Sequence, residues 1–139
     1  MGTPLTKQRA QVAFAFLERG GFKLEPGGDL SRFESDLSWE LRYSSPKVAI
    51  RVLFDMHQFE VNFSAHSTRA SYLFIDKELY GRRSGFYGDM FGSDKIDAAI
   101  DRIAADIEAH YQSVLEGDPE LWAKICTLQR TQVEKPRLP

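Results

Sequence analysis

The sequence has one cysteine, no long apolar run and almost no net charge, and each shortage excludes a class of protein. Cys126 alone cannot form an intramolecular disulfide or a cysteine-based zinc cluster, and a single thiol is typical of a reducing compartment. The apolar run near the start, residues 12–17, is too short for a signal peptide or a membrane span. We therefore predict a cytoplasmic protein that is not attached to a membrane.

Motifs that assign catalytic chemistry are also missing. The chain has no G-x-x-x-x-G-K or G-x-G-x-x-G phosphate loop, no G-x-S-x-G nucleophile elbow and no H-E-x-x-H zinc motif. Its three histidines fall on different predicted elements, so the pattern predicts no metal site. We predict no catalytic residue, metal or cofactor. The missing motifs favour a protein that is not an enzyme, without deciding the question.

The composition nevertheless suits one folded domain. The 139 residues are 42% hydrophobic and 27% charged, with a net charge of −2. This balance excludes a disordered chain and gives no general attraction to nucleic acid or anionic lipid. A chain of this size buries roughly two-thirds of its extended surface on folding. We predict one domain over residues 1–130 and a disordered tail over residues 131–139.

The N-terminal segment is predicted to be an amphipathic helix. Pro4 suits the first helical position, and Gly20-Gly21 supply a stop. The predicted inner stripe is formed by five apolar residues at helical spacing: Leu5, Val12, Ala13, Phe16 and Leu17.

The middle of the chain has the period of β-strands. Residues 37–43, 48–55 and 59–66 alternate apolar with polar side chains, and a less regular run follows at residues 71–76. The short connections between them predict an antiparallel meander of about four strands, to which residues 22–24 could add a short one. The first strand or residues 71–76 would lie at an open edge, where two copies could pair as a homodimer.

The last third has the period of helices. A long amphipathic helix is predicted from Ser93, and its inner face carries six apolar residues: Ile96, Ile100, Ile103, Ile107, Tyr111 and Leu115. Gly117 ends that helix, and Asp118-Pro119 begin another. The succession of helix, sheet and helices predicts an α+β fold, with two C-terminal helices packed on one face of the sheet.

The opposite sheet face is predicted to be polar and is one candidate binding surface. Four residues occupy strand positions that alternate with the predicted core: Arg42, Arg51, Glu60 and His66. A carboxylate near an imidazole, such as Glu60 near His66, can act as a general acid/base pair. These residues are candidates for partner binding; the alternatives are a small-ligand or enzymatic domain using this face, and an ordinary solvated surface.

Residues 81–92 form the second candidate surface, a predicted loop with four glycines, two arginines and three aromatic residues. Arginine and rigid aromatic side chains on loops are typical of interface hot spots. The candidates are Arg82, Arg83, Phe86, Tyr87 and Phe91. The same side chains could stack on single-stranded nucleic acid, although two adjacent arginines are a weak electrostatic footprint in a chain of negative charge. A third interpretation is that the aromatic rings cover the edge of the core.

The predicted helix from Ser93 is acidic on its outer side. Six acids occur between residues 94 and 116, against two bases: Asp94, Asp97, Asp101, Asp106, Glu108 and Glu116, with Lys95 and Arg102. Such a face would speed association with a basic partner, and it also serves solubility.

Over about residues 10–125 the order of elements resembles a known loose group of proteins. The resemblance is carried by residues 20–22, by residues 43–52 and by residues 114–119. The chain resembles small bacterial α+β proteins of unassigned role, among them immunity proteins of polymorphic toxin systems. The resemblance implies a non-enzymatic domain that binds a protein partner, with a toxin as the expected partner, and it assigns no functional residue.

Overall fold

A computed structural model describes residues 4–26, 34–35, 38–55, 58–81 and 93–134. In chain order the elements are α1 (Leu5–Ala13), α2 (Ala15–Arg19), β1 (Lys23–Leu24), β2 (Ser38–Ser44), β3 (Ala49–Asp55), β4 (Gln58–Ala65), β5 (Thr68–Ser71), α3 (Tyr72–Phe74), a π-helical turn (Ile75–Leu79), α4 (Ser93–His110), α5 (Gln112–Leu115) and α6 (Pro119–Glu134). The predicted α+β fold is confirmed. None of the described helices is both long and apolar enough to cross a membrane.

The described strands form a five-stranded antiparallel sheet in the order β1-β2-β3-β4-β5. The predicted meander is confirmed, and β1 is the short additional strand. The predicted strand over residues 71–76 is wrong beyond its first residue. The Ser71 hydroxyl accepts a hydrogen bond of 3.1 Å from the backbone N–H of Phe74, so Ser71 ends β5 and caps a helical segment instead.

One face of the sheet forms the core, as the alternation predicts. Its buried side chains are Trp39, Leu41, Tyr43, Ile50, Val52, Phe54, Phe59, Val61 and Phe63. They belong to the same cluster as the isoleucines of α4 and as Trp122 and Ile125 of α6. Tyr111 joins the two layers, because its ring stacks on Phe63 with centroids 5.8 Å apart. The packing of the C-terminal helices on this face is therefore confirmed.

The predicted inner stripe of the N-terminal helix is confirmed in its second half and wrong in its first. Leu17 is buried, and Ala13 and Phe16 pack partly buried against the core. Leu5 and Val12 are instead 77% and 78% exposed, and Ala10 and Phe14 are buried in their place. Both sets have helical spacing, so periodicity alone does not choose between them.

Contacts outside α1 select the buried face. Arg9 donates a hydrogen bond of 2.6 Å to Asp101 on α4, and this bond raises the pKa of the Arg9 guanidinium. On the sheet side, Trp39 Nε1 donates to the Thr6 hydroxyl at 2.7 Å. The helix is thereby held with the small Ala10 against the core.

The C-terminal end departs from the sequence prediction in its length. The single helix predicted from Ser93 is broken at Tyr111 into α4 and α5. Gly117, with φ +70°, follows the second of these helices as the predicted helix stop. Helix α6 then continues to Glu134, so residues 131–134 are helical where a disordered tail is predicted; residues 135–139 lie outside the described ranges. Gln129 of α6 donates a hydrogen bond of 2.5 Å from Nε2 to the backbone carbonyl of Arg69 on β5.

Candidate functional site

The sheet face opposite the core carries a groove, which we call the outer-face groove. Its volume is about 360 Å³, and the side chains on this face that line it are Glu25, Arg42, Ser44, Ala49, Arg51, Asn62, Ser64 and Arg69. The strand register produces this set, because Arg42, Arg51 and Asn62 are direct cross-strand partners. In the next row, Ser64 lies opposite Arg69. Two of the predicted site residues, Arg42 and Arg51, are thus brought together.

The single negative charge of Glu40 reduces the repulsion between the two opposed arginines. Like charges directly opposite each other destabilise a sheet, and here Arg42 Nε donates to Glu40 Oε1 at 3.1 Å while Arg51 Nε donates to Glu40 Oε2. The Glu40 side chain is only 1% exposed, and the two arginines remain 39% and 37% exposed. The buried carboxylate therefore holds both guanidinium groups in place at the floor of the groove.

The alternation of β2 places Glu40 on the polar face but gives no sign that its carboxylate is buried. Its position does contain a clue, because Glu40 lies two residues from Arg42 and opposite Leu53, the neighbour of Arg51 on the same face. An acid at that diagonal position is within reach of both arginines.

Two arginine side chains that line the groove, Arg51 and Arg69, are accessible to solvent. The bond to Glu40 uses Nε of Arg51, and among the described residues no acid pairs with the exposed side chain of Arg69. The amide of Asn62 and the hydroxyl of Ser64 lie between them on β4. Forked guanidinium donors flanked by neutral hydrogen-bonding groups suit the oxygen atoms of carboxylates or phosphates.

Acidic residues flank this positive area on the same face. Glu25 lines the groove beside β1 and accepts a hydrogen bond of 2.5 Å from Ser44. Glu60 lies opposite Leu53, one row of side chains away from Arg51, and Asp55 lies beyond it at the end of β3. The positive potential is therefore confined to a short length of the groove.

His66 does not lie beside Glu60. It occupies the turn after β4 with φ 52°, and its Nε2 lies 2.8 Å from the carbonyl oxygen of Gly117. Glu60 and His66 are six positions apart along β4 and the turn that follows it, and six positions of extended chain span about 20 Å. The predicted acid/base pair is therefore wrong, while a role of the exposed His66 in partner binding stays a prediction.

The other candidate surface comprises five residues of the loop predicted over residues 81–92. Arg82, Arg83, Phe86, Tyr87 and Phe91 lie outside the described residues.

The acidic side of α4 is partly neutralised within the chain. Asp101 and Asp97 lie 2.6 Å and 3.8 Å from the guanidinium of Arg9, and Asp106 accepts a hydrogen bond of 2.7 Å from the Tyr72 hydroxyl. Fewer of its carboxylates than the sequence suggests are therefore available to a basic partner.

A second cleft, of about 630 Å³, lies between α2, the turn after β2 and the α4–α5 junction. Its rim carries two bases and two acids, Arg19, Lys47, Glu108 and Glu116, over a largely apolar floor. These opposite charges give no net preference for a ligand, so the outer-face groove is the better candidate site. Among the described side chains, no group of three or more His, Cys, Asp and Glu could hold a metal ion.

Comparison with known proteins gives no further assignment. No family model matches the chain, and neither the curated proteins nor the solved structures include a significant match. The geometry of the outer-face groove is therefore the basis for the function proposed below.

Proposed function

We propose that the protein is a non-enzymatic binding domain that recognises a protein partner through the outer face of its sheet. The observation that carries the proposal is the pair Arg42 and Arg51, fixed by the buried carboxylate of Glu40. Arginine is enriched in interface hot spots. A guanidinium that is already oriented loses less conformational entropy on binding, which favours affinity.

The character of the groove favours a protein over a small molecule. Small-ligand pockets are concave and mostly apolar, whereas this groove lies on a sheet face and is lined by arginine, serine, asparagine and glutamate side chains. Hydrogen-bonding groups spread over neighbouring strands match the polar surface of a folded or extended protein segment.

In its narrower form the proposal is an immunity-type inhibitor of a bacterial toxin. This form is supported by the sequence resemblance alone. Its test is co-expression of the chain with a toxin encoded beside its gene: we expect the chain to rescue growth, and absence of a toxin gene there or of rescue would remove this narrower form.

The broader proposal is tested by blocking the groove without altering the core. We expect Asn62→Trp to fold, since an aromatic residue suits the exposed face of a strand, and to lose a partner that the wild-type chain retains from its native host. Ala123→Trp, at an exposed position of α6, is the matched control and should retain that partner. Retention of the partner by the wild-type chain and both variants, or by none of the three, would contradict binding through this face.

A further inference from the structure

We infer that the outer-face groove binds two carboxylates of an acidic partner segment, with Arg51 and Arg69 as the residues that bind them. This inference rests on the proposed function and adds to it the chemistry of the recognised segment.

The strand register sets the spacing of the two arginines. Arg51 pairs with Asn62 on β4, and Arg69 pairs with Ser64 on the other side of the same strand. Their backbones are thus two strands apart, about 10 Å across the sheet, and offset by two residues, about 7 Å, along it. Both side chains line the same groove. Alternate side chains of an extended segment point the same way and lie about 7 Å apart, so two long arginine side chains can reach two such carboxylates from these positions.

Each arginine is held at one point and lines the groove. Arg51 is oriented by Glu40 through Nε, which leaves its terminal nitrogens for a ligand. The backbone of Arg69 is held between β4 and Gln129, and its side chain is exposed. Bidentate contacts between guanidinium and carboxylate are the strongest hydrogen bonds such a site can make.

The surrounding acids restrict the ligand to a short anionic segment. Glu25 borders the groove, and Glu60 and Asp55 lie on the same face. A nucleic acid would bring a continuous row of phosphates against these carboxylates, whereas a segment with two acids flanked by neutral or basic residues would avoid that repulsion. Acid residues at positions i and i+2 of an extended peptide fit this description.

The test uses the full-length, isotope-labelled chain and a synthetic peptide with blocked ends, acetyl-Gly-Glu-Gly-Glu-Gly-amide. Nuclear magnetic resonance should show millimolar binding, with the largest shifts at the Nε–H groups of Arg51 and Arg69. The peptide with Gln in place of both Glu residues should give no such shifts. A peptide with adjacent Glu residues should bind more weakly, because its carboxylates point to opposite sides.

Matched variants separate these contacts from general charge. Arg69→Gln should weaken peptide binding about tenfold or more, as expected for the loss of a charged hydrogen bond. Arg19→Gln removes the same charge from α2, and it should leave the affinity unchanged. Arg51→Lys keeps the positive charge but removes the planar guanidinium group that can donate two parallel hydrogen bonds, and it should weaken peptide binding as well.

Several outcomes would overturn the inference. It fails if millimolar peptide causes no shifts, if the Gln peptide binds equally well, or if oligothymidylate binds the groove more tightly than the acidic peptide. The proposed function is judged separately. If Asn62→Trp loses a native partner, and that partner still binds the wild-type chain after its acidic residues are replaced, the proposed function stands and this inference fails. If the peptide binds but Asn62→Trp has no effect on a native partner, this inference stands and the proposed function fails.

Discussion

The imidazole Nε2 of His66 lies 2.8 Å from the backbone carbonyl oxygen of Gly117, so a single contact joins two turns 51 residues apart. Gly117 also lies against the turn that connects β2 and β3, since a Cβ at that position would meet Lys47 and Val48. Three connections therefore meet at this end of the molecule.

The contact made by His66 should contribute measurably to stability. We expect His66→Ala to lower the free energy of unfolding by about 0.5–1.5 kcal/mol more than Ser67→Ala, the usual net value of one hydrogen bond. The two positions are matched for backbone strain, with φ values of 52° and 62°. Urea denaturation measures both; equal losses would show that the contact with Gly117 contributes nothing.

Gly117 should not tolerate a side chain. Its φ is +70°, and a Cβ would lie 3.0 Å from Lys47 Cβ and 3.2 Å from Val48 Cγ2. We expect Gly117→Ala to destabilise the fold by roughly 1–3 kcal/mol. Gly81 has a similar φ of +66°, and no atom of the described residues lies within 4 Å of a Cβ built there, so Gly81→Ala should cost less. A larger loss at Gly81 would show that packing at Gly117 is looser than described.

Removing the charge of Glu40 should be costly. Glu40→Gln removes the carboxylate charge to which both Arg42 and Arg51 donate, and we expect a loss of about 2–4 kcal/mol from the weakened charged hydrogen bonds and the increased repulsion between the two arginines. Glu60→Gln, on the same face but half-exposed, should change stability by less than about 0.5 kcal/mol. Chemical denaturation at low and high salt checks this, and similar effects of the two changes would show that Glu40 does not offset the repulsion between the arginines.

Tyr43 should make the fold sensitive to alkaline pH. Burial, and then the nearby charge of Glu18, raise the pKa of Tyr43 from 10.0 to about 12. Between these values the unfolded chain loses the phenolic proton and the folded chain retains it, so stability should be full below about pH 10 and fall as the pH rises toward 12.

Tyr43→Phe isolates this effect. The Tyr43 hydroxyl has no hydrogen-bond partner among the described residues, so its removal should leave stability at neutral pH unchanged or raised by up to about 1 kcal/mol. Thermal unfolding of the variant should also decline less steeply between pH 10 and 12. An identical alkaline decline in the variant would assign the pH dependence to other groups.

The core should be sensitive at Ile103. This side chain is 0% exposed at the centre of α4, and Ile103→Ala should cost about 2–5 kcal/mol. Val12→Ala, a truncation at a 78% exposed position, should cost no more than about 0.5 kcal/mol. Melting temperatures check both, and a loss below about 1 kcal/mol at Ile103 would contradict its place in the core.

The strands and α4 are predictable because each buries one side only. In β3 the period of two places Ile50, Val52 and Phe54 inward, and in α4 the spacing of the isoleucines leaves a single apolar stripe. Alternation of this kind reports burial directly. The N-terminal helix lacks that clarity, because two stripes have apolar members and only contacts with Asp101 and Trp39 select one.

The candidate site is predictable in position but not in detail. The alternation places Arg42 and Arg51 on the outer face, whereas the ion pairs with Glu40 depend on a register that the sequence does not state. Arg69 is absent from the predicted site because the strand that carries it is short and ends at the Ser71 cap. His66 is misplaced by one residue, since β4 ends at Ala65 and the chain turns.

The hydrogen bond from Gln129 to the Arg69 carbonyl has a consequence for aggregation. Outermost strands with unsatisfied backbone groups recruit other chains and seed fibrillar growth. In β5 one such acceptor is already occupied by a side chain of α6, so a second molecule joining along β5 would have to displace Gln129 to use it. The C-terminal helix therefore opposes polymerisation at this acceptor of β5 as well as completing the core.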